Sequence, residues 1–161
     1  MFEELLDANA AYAKTFDGAG LAREPAKRLV VVTCMDARID TLAALGLKPG
    51  DAHVLRNAGG RVSDDVIRSL VVSTRLLGTD TVVVMHHTGC GMATINKKSV
   101  REILTDIDEE HWEPFQLLEI EDQQQALRED VTKVRESPLL RDLRVAGFIF
   151  DVKSGRATQY L

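Results

Sequence analysis

Two runs of apolar, largely β-branched residues, each followed by a cysteine, constrain this chain more than any other feature. They read Leu-Val-Val-Val-Thr over residues 29–33, directly before Cys34, and Thr-Val-Val-Val-Met over residues 81–85, shortly before Cys90. Neither run alternates apolar with polar residues, which is typical of a strand buried on both faces of a parallel sheet. Because the carboxyl ends of parallel strands lie at one edge of a sheet, we expect the two thiols to be neighbours.

The chain contains no other cysteine, which leaves three interpretations of this pair. A disulfide is disfavoured in a reducing cytoplasm, whereas two buried structural thiols would pack as small apolar residues. The third interpretation is a zinc site, which we predict because His87 lies three residues before Cys90 and supplies an imidazole. Two thiolates and an imidazole leave the fourth position of a tetrahedral zinc to water or to Asp36.

Length and composition predict one globular domain spanning residues 1–161. The chain is 45% hydrophobic and 28% charged, so it can bury a core, and its formal net charge is −5. We expect no nucleic-acid partner, because phosphate binding requires a basic surface. The start of the sequence has neither a basic flank nor an apolar stretch near the roughly 20 residues of a membrane helix. We therefore expect no membrane partner and a cytoplasmic location.

The pattern of elements predicts an α/β fold with a central, mostly parallel sheet of four strands, helices on both faces, and a C-terminal antiparallel edge strand. Residues 1–27 are expected to form an N-terminal helix and a linker, and residues 41–47 a short helix. The four predicted central strands cover residues 29–33, 53–56, 81–85 and 145–152. A hairpin signal at 153–155 would return the chain as the edge strand, residues 156–161.

The clearest predicted helix begins at Ser63, a residue type that caps helices, and ends before Gly78. Residues 97–137 are also predicted to be mostly helical. Their apolar positions form two stripes, Val100, Ile103, Leu104 and Ile107 in one and Leu127, Val131 and Val134 in the other, separated by residues 111–115. The acidic runs 106–110 and 119–125 are most simply solvated helix faces.

Three motifs occur in an order that resembles the β-class carbonic anhydrases. They are Cys34-x-Asp36-x-Arg38, then Arg-Asn-Ala-Gly at 56–59, then His-x-x-Cys-Gly at 87–91. The shared order of strands, motifs and helices runs from about residue 28 to the C-terminus. The chain is most similar to the short members of this family, which lack the long N-terminal extension of the plant enzymes.

The resemblance implies a site and a reaction. Cys34, His87 and Cys90 would bind zinc, while Asp36 and Arg38 would form a catalytic pair. The implied activity is that of a carbonate dehydratase, a zinc lyase that reversibly hydrates carbon dioxide to bicarbonate through a zinc-bound hydroxide. The resemblance also implies a homodimer or a larger assembly such as a homotetramer, with the active-site cleft at the subunit boundary and the N-terminal helix reaching over the partner.

Two alternative functions stay open. Relatives within the same family hydrolyse carbonyl sulfide or carbon disulfide with the same zinc ligands, and His53 stands where many plant-type members have a phenylalanine of the substrate pocket. In a different class, Asp36 would complete a closed site and the zinc would be purely structural or regulatory. Asp36 and Arg38 together oppose that alternative, because a guanidinium two residues away can hold the carboxylate in a bidentate pair, away from the metal. An ion pair that merely caps a turn is the plainer interpretation of these two residues.

Zinc with two thiolates and a neutral imidazole has no formal net charge, so it acidifies a water ligand less than a site with three histidines, and we expect an activity profile that favours alkaline pH.

The other polar residues near the motifs have two interpretations each. Arg56 and Asn57 line the cleft or are structural, and the glycine pair 59–60 predicts a tight turn or a close backbone approach. His86 is expected to be packed or exposed rather than a ligand.

His53 and His111 are candidate proton relays or incidental histidines. Trp112 and Phe115 belong either to a subunit contact or to the core.

Overall fold

The fold is a single twisted sheet in a computed structural model that describes residues 1–112 and 115–161. Its strands are β1 (Leu29–Cys34), β2 (Ala52–Asn57), β3 (Thr81–His87), β4 (Arg144–Phe150) and β5 (Ala157–Gln159). The strand order is β2-β1-β3-β4-β5, with parallel pairing throughout except between β4 and β5. The predicted fold class is confirmed.

The two apolar runs of the sequence form the adjacent central strands β1 and β3. Leu29 pairs with Thr81 and Thr33 with Met85, so the two strands end at the same edge of the sheet. The chain passes from β1 to β2 on one side and returns to β3 on the other. The carboxyl ends of β1 and β3 therefore flank the topological switch point, where α/β sheets bind their ligands.

Five α-helices accompany the strands in the described part of the chain. They are α1 (Phe2–Ala13), α2 (Thr41–Ala44), α3 (Asp64–Val71), α4 (Lys97–Ile103) and α5 (Gln123–Glu136). Ser63 caps α3 as predicted, since its side chain accepts a hydrogen bond from the Val66 amide. The last turn of the predicted helix is a π-helical segment, Val72–Leu76.

Helices and loops cover the sheet on both faces. On one face, the apolar sides of α3 and α5 pack on alternate residues of β1 and β3, among them Val30 and Val82, which are fully buried. On the other face, Val31 and Met85 pack against α2 and the loops that carry Met92 and Ile120. This second cluster includes both cysteines, so the apolar core extends to the predicted site.

The segment 97–137 differs from the predicted pattern. Its second stripe, on α5, is buried, but the first does not form because α4 ends at Ile103. Ile103 is 78% exposed, and Leu104 and Ile107 are more than 40% exposed. Asp and Thr side chains at 105–108 compete for backbone hydrogen bonds and favour turns over helix. Residues 113–114 of the predicted separating segment lie outside the described residues.

The N-terminal helix α1 buries none of its residues against the chain. Phe2, Leu5 and Leu6 are 76%, 61% and 69% exposed. Within residues 1–112 and 115–161, none of the helices is long and apolar enough to cross a membrane.

Candidate metal centre

The predicted ligands Cys34, His87 and Cys90 form one cluster at the switch point. Cys34 is the last residue of β1, His87 is the last of β3, and Cys90 lies in the loop that follows. The possible ligand atoms of these three residues lie within 4.8 Å of one another, and all three residues are buried. The cluster could hold a metal ion.

The donor set of this cluster fits zinc. The two Sγ atoms are 4.0 Å apart, close to the roughly 3.8 Å between two thiolates bound at about 2.3 Å to a tetrahedral zinc. His87 Nδ1 donates a hydrogen bond to the Thr88 carbonyl at 3.0 Å, which leaves the lone pair on Nε2. Nε2 is buried and has no hydrogen-bond partner among the described residues, as expected of a nitrogen kept for a metal.

Burial shifts the pKa of two candidate ligands, His87 and Cys90. It lowers the pKa of His87, which favours the neutral imidazole that metals bind. Burial also raises the pKa of the Cys90 thiol, assisted by the neighbouring Cys34. Metal ions bind the thiolate, so loading of this site releases protons and depends on pH.

Asp36 lies beside the cluster but is held by Arg38. Arg38 donates from Nε to Oδ1 at 2.9 Å, from Nη2 to Oδ2 at 2.7 Å, and from its backbone amide to Oδ1 at 2.9 Å. These hydrogen bonds keep the pKa of Asp36 far below its usual range. Asp36 Oδ2 is 3.8 Å from His87 Nε2. The carboxylate thus faces the cluster as an anion whose lone pairs are largely occupied by Arg38.

Arg56 supports the loop that carries Asp36. Its guanidinium donates to the Cys34 carbonyl at 2.9 Å and to the Asp36 carbonyl at 2.7 Å. Gly60 lies against the same strand end, where an added Cβ would be 2.9 Å from the Cys34 nitrogen. Of the interpretations that the sequence left open, these contacts favour a structural role for Arg56 and a close backbone approach at Gly60.

A buried polar network behind the cluster was missed by sequence reasoning. His86 is fully buried, and its Nε2 is 3.0 Å from Asp130 Oδ2, which also accepts a hydrogen bond from Arg61 Nε at 2.7 Å. Asp130 lies within the apolar stripe of α5, between Leu127 and Val134. The position of Asp130 within an apolar stripe predicts that this carboxylate is buried. The sequence does not predict which residues it contacts.

The candidate proton relays lie elsewhere. His53 pairs in register with Val30, four residues before Cys34, a distance of roughly 13 Å along the strand. Its ring contacts Ser73 Oγ at 2.8 Å and the Arg23 carbonyl at 3.2 Å. The side chain of His111 is 65% exposed.

Trp112 is buried and packs edge to face on Phe115, with ring centroids 5.7 Å apart. The Arg101 guanidinium lies 5.3 Å from the centre of the Trp112 ring. Trp112 is therefore part of the packed interior of its own chain, whereas Phe115 remains 41% exposed.

Fold and site together define an α/β protein with a Cys-His-Cys cluster that could hold a metal at the switch point of its sheet. The carbonic anhydrase family model matches residues 29–157. The chain belongs to the β-carbonic anhydrase family, which confirms the predicted family and enzyme class.

Individual relatives agree with this assignment. A carbonic anhydrase structure from Streptococcus mutans is 42% identical with a TM-score of 0.90, and the match covers 98% of this chain and 96% of that one. Beta-carbonic anhydrase 1 of Mycobacterium tuberculosis is 39% identical, over 98% of this chain and 96% of the relative. A carbon disulfide hydrolase of Acidianus sp. is 32% identical, over 81% of this chain and 76% of its own. The family thus includes relatives named for two different substrates.

Proposed function

We propose that this protein is a zinc enzyme that reversibly hydrates carbon dioxide to bicarbonate. Cys34, His87 and Cys90 would hold the metal, and Asp36 and Arg38 would act beside it. When bound, zinc would lower the pKa of a water ligand and so supply a nucleophile, at a more alkaline pH than a site with three histidines. The single observation that carries the proposal is the bidentate Arg38–Asp36 pair, which would leave the fourth position of a bound zinc free for water.

The roles of the two residues follow from their contacts. Arg38 keeps Asp36 ionised, so Asp36 Oδ2 can accept a hydrogen bond but not donate one, and in the proposed role it would orient the attacking water. Arg38 also donates from Nη2 to the Gly89 carbonyl at 2.9 Å, in the loop between His87 and Cys90. It thereby joins the two ligand-bearing loops as well as restraining the carboxylate.

Zinc content and carbon dioxide hydration are the direct tests. We expect one zinc per chain by metal analysis, and hydration by stopped flow that is lost on chelation and restored by zinc. Absence of zinc would overturn the proposal. Zinc without hydration at neutral or alkaline pH would favour a purely structural metal.

Hydrolysis of carbon disulfide or carbonyl sulfide is the second candidate, supported by the similarity to the Acidianus carbon disulfide hydrolase. The zinc ligands would be the same, so the two candidates differ in which substrate reaches the metal. Release of hydrogen sulfide from either substrate, measured beside hydration on one preparation, separates them. A rate constant for sulfide release above that for hydration would make this candidate the main function.

The proposed partner is a second copy of the chain, bound through the apolar side of α1. Phe2, Leu5 and Leu6 lie on that side and are mostly exposed, which is unfavourable in water unless another surface covers them. Leu6→Glu is expected to lower the oligomeric mass measured by sedimentation velocity. Ala11→Glu places the same charge on the opposite side of the helix and is expected to leave the mass unchanged. A monomeric wild-type chain would overturn this part of the proposal.

A further inference from the structure

We propose that Thr88 and Asp151 are positioning residues of the metal site that act through the ligand His87, a role that rests on the zinc site proposed above. Thr88 follows His87 directly, whereas Asp151 lies 63 residues away from Thr88, at the end of β4. Asp151 lies outside the three family motifs, and Thr88 occupies an unspecified position of the third.

The imidazole ring of His87 is oriented by one hydrogen bond. His87 Nδ1 donates to the Thr88 carbonyl, and the opposite nitrogen, Nε2, faces the cluster. The partner of the nitrogen that does not bind the metal fixes both the tautomer and the plane of a ligating imidazole. The position of the Thr88 carbonyl therefore controls where Nε2 points.

Thr88 is itself held by hydrogen bonds to the residues at the end of β4. Its amide donates to the Phe150 carbonyl at 2.9 Å, and its Oγ1 donates to Asp151 Oδ1 at 3.2 Å. The same Oγ1 accepts a hydrogen bond from the Val152 amide at 3.2 Å. Both the backbone and the side chain of Thr88 are thus held by residues 150–152.

Asp151 is in turn held by hydrogen bonds within the turn before β5. Its Oδ1 accepts from the Lys153 amide at 2.9 Å and its Oδ2 from Ser154 Oγ at 3.1 Å. The backbone amide of Asp151 donates to the Arg156 carbonyl at 2.8 Å, and its own carbonyl accepts from the Gly155 amide at 2.8 Å. The turn thereby orients the Asp151 carboxylate toward Thr88. Because the Thr88 carbonyl accepts a hydrogen bond from His87, the turn also helps to hold the imidazole ring.

Zinc affinity separates positioning from a general effect on folding. Thr88→Val keeps the β-branched shape but removes the hydroxyl, and Thr88→Ser keeps the hydroxyl. We expect Thr88→Val to weaken zinc binding by about 3- to 10-fold, less than the roughly 10- to 100-fold effect of losing a direct outer partner, because the Thr88 carbonyl that accepts from His87 remains. Thr88→Ser is expected to retain affinity within about 2-fold, which is the rescue that a hydroxyl-dependent role requires. Affinity is measured by competition with a chromophoric chelator.

A cobalt-substituted protein provides a second readout. We expect its visible absorption bands to shift in Thr88→Val and to be unchanged in Thr88→Ser. Thr158→Val, on exposed β5, is the matched control and should alter neither quantity. Asp151→Asn weakens the same support and should shift affinity in the same direction, so it replaces Thr88→Val if that variant does not fold.

Failure of the proposed zinc site and failure of the positioning role give different results. If wild-type protein binds no zinc, the proposed function and this inference both fail. If wild-type protein binds zinc, and Thr88→Val and Asp151→Asn match its affinity and cobalt spectrum, only the positioning role is overturned.

Discussion

Arg38 and Asp36 form a bidentate pair, with Nε donating to Oδ1 at 2.9 Å and Nη2 to Oδ2 at 2.7 Å. The pair lies next to the cluster, since Asp36 Oδ2 is 3.8 Å from His87 Nε2. A carboxylate this close to a metal site can either bind the ion or leave its fourth position open. Arg38 holds both carboxylate oxygens by hydrogen bonds, and we expect it to keep Asp36 from binding an ion, while Oδ2 keeps a lone pair for a hydrogen bond from water.

Arg38→Ala should therefore allow Asp36 to bind the metal. We expect turnover of carbon dioxide to fall by about 10²-fold or more, because the fourth position is closed and the carboxylate is displaced. Stopped-flow hydration measures the loss, and zinc X-ray absorption reports that a carboxylate has replaced water as the fourth ligand. Arg68→Ala removes a comparable pair with Asp65 outside the site and should leave both measurements unchanged. An active Arg38→Ala enzyme with an open zinc would contradict the assigned role.

His87→Gln should abolish stoichiometric zinc binding. The amide cannot replace an imidazole nitrogen that lies within 4.8 Å of both thiols. Metal analysis after exhaustive dialysis measures the change. His111→Gln makes the same substitution at an exposed side chain and should retain one zinc per chain. Equal zinc content in the two variants would remove His87 from the ligand set.

Gly60→Ala should lower the free energy of unfolding more than Gly78→Ala does. Both glycines have positive φ, 69° and 73°, so alanine carries a backbone cost of about 1–2 kcal/mol at either position. Only at Gly60 does the added Cβ meet backbone, 2.9 Å from the Cys34 nitrogen, whereas at Gly78 nothing lies within 4 Å. Urea unfolding measures both variants. Equal destabilisation would show that the contact with Cys34 relaxes without cost.

Asp130→Ala should destabilise the fold by about 3–5 kcal/mol, because it leaves the buried Arg61 guanidinium without its main counter-ion. The double variant Arg61→Met with Asp130→Leu should recover part of this loss, since it removes both charges but leaves the Val62 amide and His86 Nε2 without the carboxylate. Asp64→Ala breaks the exposed pair with Lys133 and should change stability little. Chemical unfolding of all three variants is the measurement. A double variant no more stable than Asp130→Ala would show that the unpaired Arg61 charge is not the source of the loss.

Asp80→Asn should change how stability depends on pH. Hydrogen bonds from Arg144, Thr81 and Arg28 hold the pKa of Asp80 well below its ordinary value of 3.8. A lowered folded-state pKa contributes stability above that ordinary value and loses it as the pH falls toward the folded pKa. The difference in unfolding free energy between wild type and Asp80→Asn should be full at pH 7 and shrink below about pH 4. A difference that is independent of pH would disprove the linkage.

The sheet and the metal cluster were largely predictable, and the helical segment 97–137 was less so. Uninterrupted β-branched runs can bury only as central strands, and a parallel pair carries the residues at its ends to one edge. The stripe over residues 100–107 matched helical spacing, but α4 ends at Ile103 because turn-forming side chains follow. The spacing of apolar residues alone does not show that the following side chains favour a turn over a helix.

The sequence by itself determined the two buried strands and the candidate ligands Cys34, His87 and Cys90, because both follow from local patterns and short spacings. Only the tertiary structure decided what holds the ligands in place. Thr88 meets Asp151 across 63 residues, and His86 meets Asp130 across 44. Such contacts depend on how β3 packs beside β4 and α5, which is a property of the assembled sheet and of no single segment.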